Sequence, residues 1–142
     1  MSDRVEEQRR LILDQFTRQA VPFAEMPVHS NEESVRLLID MAEVGPEDTV
    51  LDVACGPGLV ACPLAAVAQH VAGLDLTPAM IEQARAKQRA AGLTNLTWLI
   101  GDAVPLPFAD AAFTAVVTRC SFHHFLDPKA VLSEMVRACR PE

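Results

Sequence analysis

The segment Val50-Leu51-Asp52-Val53-Ala54-Cys55-Gly56-Pro57-Gly58 constrains this chain more than any other. Residues 49–54 are apolar almost throughout, as a strand covered on both faces should be. Gly56 and Gly58 remove β-carbons where that strand has to turn sharply and let a ligand touch its backbone. Leu59 to Gln69 then reads as an alanine-rich helix, with Pro63 near its first turn, where a missing N–H costs least. A helix entered this way points free N–H groups and the positive end of its dipole at the turn. A carboxylate or a phosphate would suit that position equally.

The same alternation continues. A second strand, Val71 to Leu74, ends at Asp75, after which Thr77 and Pro78 open a helix that Gly92 closes. A third strand, about Leu96 to Ile100, ends at Gly101-Asp102 and is followed by a loop from Val104 to Asp110. Phe113 to Thr118 makes a fourth strand, and Asp127-Pro128 starts a helix to about Cys139. Ahead of all this lie two helix candidates. One covers Val5 to Gln19. The other follows Ser30, where Ser30-Asn31-Glu32-Glu33 reads as a capping box and Val35, Leu38, Ile39 and Ala42 share one face. Gly45-Pro46 ends it. The pattern predicts an α/β fold with a doubly wound parallel sheet of about four strands. Residues 1–45 form an N-terminal helical segment and residues 46–142 the core. Right-handed crossovers put every loop that follows a strand at one edge of the sheet.

Composition narrows the partners. With 142 residues the chain has the size of one domain, and its formal charge of −7 argues against nucleic acid or an anionic membrane. No apolar run is long enough to span a membrane, and Met1 to Arg10 lacks the apolar centre of a secretory signal, so a cytoplasmic protein is expected. Cys55, Cys62, Cys120 and Cys139 form no C-x-x-C pair and read as reduced, packed thiols with no metal.

Three carboxylates sharpen the glycine turn. Asp52 lies inside the first strand, where a buried carboxylate needs donors or a cationic ligand. Asp75 ends the second strand, where it can bond both hydroxyls of a ribose. Asp102 ends the third, placed to accept from an exocyclic amine, and Met80 can pack on an adenine face. Each has a plainer reading as a turn, cap or core residue. What sets them apart is that they fall at successive strand ends.

These stretches closely resemble the class I S-adenosylmethionine-dependent methyltransferases, within them the group of ubiquinone and menaquinone C-methyltransferases. The matching segments are VLDVACGPG at 50–58, GLDLTPAM at 73–80, GDAVPLPF at 101–108, FTAVVTRCSFHHFLDP at 113–128 and SEMVRACRP at 133–141. The resemblance implies a Rossmann-like fold and S-adenosylmethionine as cofactor, with S-adenosylhomocysteine as product. It further implies that Asp52 and the backbone of Ala54, Cys55, Gly56 and Gly58 hold the methionine portion. Asp75 would bond the ribose, with Leu76 and Met80 flanking the adenine and Asp102 and Ala103 at its edge. Thr118 and Arg119 would lie against the amino-acid end, and Phe16 and Phe23 in an aromatic lid. His123-His124 belongs to the segment after the fourth strand and is not assigned chemistry.

Displacement at a sulfonium needs alignment and dryness more than a protein base, so no catalytic residue is assigned. The family's sheet has seven strands, of which about four are legible here. That shortfall predicts a truncated chain, a fragment, or a homodimer covering Ala115-Val116-Val117. The acceptor is expected to be a small molecule. Two other readings stay open: a non-catalytic cofactor- or partner-binding module, and a nicotinamide-dependent oxidoreductase suggested by the fit of Gly56 to Ala61 to G-x-G-x-x-A.

Overall fold

Strand β1 (Thr49–Val53) is buried at every position after its first, which is why its sequence carries so few polar residues. In this computed structural model, which describes residues 28–119 and 125–141, it pairs in parallel with β2 (His70–Asp75) on one side. On the other side it pairs, again in parallel, with β4 (Ala115–Val117). β3 (Leu96–Ile100) adds to β2, giving the order β3-β2-β1-β4. The chain therefore winds outward from β1 in one direction and then crosses back to its other side. That reversal makes the carboxyl ends of β1 and β4 a topological switch point, where sheets of this kind bind their ligands.

Alternate side chains of the strands feed two cores. On one face, Val50, Val71, Leu96 and Val117 pack with Val35 and Leu38 of helix α1 (Val28–Ala42) and Leu64 of α2 (Ala61–Ala65). On the other, Leu51, Val53, Ala72 and Leu74 meet Leu106, Phe113 and residues of α4 (Pro128–Ala138). Helix α3 (Pro78–Ala91) buries Ile81 and Ala84. Helix α1 thus belongs by packing to the same core as β1 and β2.

Several local expectations need adjustment. Helix α1 begins at Val28, ahead of Ser30, so Ser30 sits within the helix and not at its cap. Nothing between Pro27 and Ser30 in the sequence resists helix, and a proline commonly precedes a helix start. Helix α2 covers five residues and not the whole of 59–69. It starts without a side-chain cap, and Pro63 inside it lacks an N–H. Asn95 closes its far end, donating from Nδ2 to the carbonyls of Ala65 and Ala68 at 2.8 and 3.1 Å. Thr77 occupies the cap position of α3, but its hydroxyl makes no cap bond. Gly92 ends α3 in the left-handed region as expected, and Asp127 caps α4 by accepting from the Ala130 amide at 3.1 Å. The helix expected over 5–19, with Phe16 and Phe23, lies outside the described residues, as do Cys120 and His123-His124.

Candidate functional site

The turns that follow β1, β2, β3 and β4 all lie at the carboxyl edge of the sheet, as parallel pairing requires. Most of the described cofactor-site candidates lie in or beside them: Asp52 and Asp75 are in the last residues of β1 and β2, and Met80 is in the first turn of α3. The glycine turn is built from left-handed backbone: Ala54, Gly56 and Gly58 have φ of 58°, 56° and 85°. At Gly58 a side chain would also meet Cys62 Sγ, Ala84 Cβ and Trp98 Cη2, each at 3.3 Å. Ala54 bears the cost of a β-carbon in that region, on the order of 1–2 kcal/mol.

Three amides of this turn are used internally. Cys55 N donates to Leu74 O at 2.9 Å, Gly56 N to Asp75 Oδ2 at 2.8 Å, and Gly58 N to Cys55 O at 3.2 Å. With α2 only five residues long, its dipole adds little. Two donors that would have cradled a phosphate hold the turn to β2, and a third closes the turn on itself.

Asp75 receives two of the backbone donors at this edge. Its Oδ2 accepts from Gly56 and its Oδ1 from the Thr77 amide at 2.9 Å. Each oxygen keeps a second lone pair for a hydroxyl. Beyond it, Leu76 is 67% exposed beside the half-buried Met80. At the end of β3, Asp102 is exposed and its Oδ1 accepts from the Val104 amide at 3.3 Å, while Ala103 is buried.

Asp52 is the electrostatic centre. It is 2% exposed, and its Oδ2 is buried without a hydrogen-bond partner among the described residues. Burial pushes its carboxyl up to about 8, opposed by the Arg119 guanidinium and reinforced by the nearby Asp75. Thr118, buried at the end of β4, donates from Oγ1 to Val53 O at 2.8 Å and ties β4 to the strand that carries Asp52. Cys55 and Cys62 are buried free thiols, both raised by burial, which keeps them protonated and unreactive. Among the described residues no three metal-ligating side chains cluster.

Two supports of the site went unread in the sequence. The Trp98 ring lies across Gly73, where an added β-carbon would stand 2.5 Å from Cζ3, and reaches Gly58 with Cη2. Its Nε1 donates to Gln88 Oε1 at 2.7 Å, fixing the ring beneath the turn. A glycine inside β2 level with a tryptophan in β3 was the available signal. The second support is Glu134 and Arg137 of α4, which hold the 104–110 loop; their i, i+3 spacing reads as an ordinary helix-surface pair.

The model of a methyltransferase domain family matches residues 50–142. The chain is 30% identical over 127 residues to the uncharacterised methyltransferase YcgJ of Bacillus subtilis, covering 89% of this chain and 50% of that protein. It is 33% identical over 106 residues to the demethylmenaquinone methyltransferase of Renibacterium salmoninarum, covering 75% of this chain and 43% of the other. The crystal structure of YcgJ superposes with a TM-score of 0.74 at 32% identity, covering 77% of this chain and 47% of that one. The cyclase SpnF, at 24% identity, shares the fold with a TM-score of 0.73 over 79% of this chain and 42% of its own. The chain spans half the length or less of these curated relatives.

Proposed function

The chain belongs to the methyltransferase domain family, and we propose that it binds S-adenosylmethionine across its carboxyl edge and serves methyl transfer to a small-molecule acceptor. The single observation that carries this reading is Asp52, a buried carboxyl with an unpartnered oxygen beside the glycine turn. A pyrophosphate there would meet a carboxyl and few free amides, whereas a cationic amino-acid group supplies the missing donor. That chemistry speaks against the nicotinamide reading.

The residues present fit the cofactor from end to end. Asp52 and the carbonyls of the 54–58 turn would take the ammonium, with Thr118 and Arg119 alongside. The free lone pairs of Asp75 would accept both ribose hydroxyls. Leu76, Met80, Asp102 and Ala103 would line the adenine. The bound cofactor supplies an electrophilic methyl on a good leaving group. The chain's part is to fix the donor's position and exclude water, so no residue here is assigned as a base. The reading includes a cytoplasmic location, a core from 46 to 142 with residues 1–45 as its cap, and a second copy along the β4 edge. Among the described residues no helix is long and apolar enough to cross a membrane.

Because SpnF shows that the fold also serves another activity, binding and transfer are tested separately. Equilibrium dialysis with labelled S-adenosylmethionine should show binding that Asp75→Ala loses. Incubation with small phenols, quinols and acids should then move label to one class. NADH binding without cofactor binding would overturn the reading. Cofactor binding with no transfer to any acceptor would favour the non-catalytic module.

A further inference from the structure

The loop from Val104 to Asp110 follows directly on Asp102 and Ala103, the residues assigned above to the adenine. It contains no regular secondary structure, so its backbone groups need partners from elsewhere. Helix α4 supplies them through two side chains. Glu134 Oε1 accepts from the Leu106 amide at 2.7 Å. Arg137 donates to Phe108 O at 2.8 Å, Leu106 O at 3.1 Å and the Asp110 carboxylate at 2.8 Å. It also forms a two-pronged pair with Glu134, at 2.8 and 3.1 Å. Arg137 holds the Glu134 carboxyl below its usual range, and the two carboxylates hold Arg137 charged. Below the clasp, Leu106 is buried and Phe108 meets Phe113 edge to face, with ring centres 5.0 Å apart.

All five donor positions of one guanidinium are thus directed at a single loop and the helix that grips it. An exposed ion pair alone would be worth little. Two of these contacts, however, and a third made by Glu134, go to backbone atoms of the segment that continues from the adenine edge. We propose that Glu134 and Arg137 are positioning residues for the cofactor. By fixing Leu106 and Phe108 they set the approach of Asp102 and Ala103 to the adenine, from a helix that does not itself touch the cofactor. The inference rests on the cofactor reading given above.

The test is calorimetric titration of the 142-residue chain and its Arg137→Lys and Glu134→Gln variants, well below each melting temperature. The probes are S-adenosylhomocysteine and methylthioadenosine, which share the adenosine end. Lysine keeps the charge but cannot reach two carbonyls and two carboxylates at once. Both variants should weaken both probes by about tenfold at unchanged stoichiometry. A merely structural role would lower the stoichiometry, through unfolded chain, and leave the dissociation constant alone; that result overturns the proposal. Equal affinity in all three proteins overturns it as well. If the unaltered chain binds neither probe, the cofactor reading falls and takes this inference with it. Should Arg137→Lys fail to fold, Glu134→Gln decides alone.

Discussion

The carboxylate of Asp75 accepts a hydrogen bond from the Gly56 amide at 2.8 Å, so the group proposed to hold the ribose is also the strut that holds the glycine turn of β1. On that proposal, binding and architecture meet in one side chain. Asp75→Asn keeps one acceptor oxygen and puts a donor in place of the other, whereas Asp75→Ala removes both. Thermal melts should therefore order the proteins Asp, Asn, Ala. Each lost backbone bond should cost about 1 kcal/mol. Affinity for S-adenosylhomocysteine should fall in the same order, and an alanine variant that binds like the parent would refute the dual role.

Gly73 is held by a close approach. A β-carbon there would stand 2.5 and 2.6 Å from ring atoms of Trp98 and 3.0 Å from Cys55 Sγ. Gly73→Ala should destabilise the fold by about 1–3 kcal/mol through overpacking. Replacing Trp98 by leucine in the same chain should recover part of that loss. A double-mutant cycle by denaturant unfolding measures the coupling, and additive effects would contradict the contact.

Asp52 gives stability a definite pH dependence. Its folded carboxyl titrates near 8, far above the range of an exposed aspartate, so between those limits the folded chain retains a proton that the unfolded chain has lost. Stability should fall as pH rises toward about 8 and level off above it, by at most about 1.4 kcal/mol per pH unit. Asp52→Asn, which stays neutral, should remove that slope. Urea midpoints for the two proteins across this range make the comparison, and parallel curves would disprove it.

The chain has one tryptophan, and Trp98 touches the glycine turn from below. Its emission should change saturably as S-adenosylhomocysteine is added, with the midpoint found by calorimetry. A midpoint that disagrees would place the ligand away from this turn.

Much of the architecture was legible because β1 and β2 are buried on both faces, the ends of β2 and β3 are marked by Asp75 and Gly101-Asp102, and Asp127-Pro128 marks the start of α4. A continuous apolar run bounded by such residues has few alternatives. The extent of α2 was not legible, because an alanine-rich run reads as helix wherever it stands. Pro63 and the side-chain amide of Asn95, 30 positions beyond Ala65, decide where it stops. The carboxylates of the site were visible in the sequence, but the fate of the turn's amides was not. Whether Gly56 N faces a ligand or Asp75 depends on how β1 and β2 sit side by side, a relation no local pattern encodes. Trp98 and Arg137 escaped for the same reason, since both act on segments distant in sequence.

The decisive measurement is calorimetric titration of the chain with S-adenosylhomocysteine, run in two buffers of different ionisation enthalpy near neutral pH. Binding should be micromolar and accompanied by release of a proton as the neutral Asp52 becomes a carboxylate facing the ligand's ammonium, with release abolished in Asp52→Asn. Absence of binding, or tight binding with no buffer dependence in either protein, would contradict the proposed site.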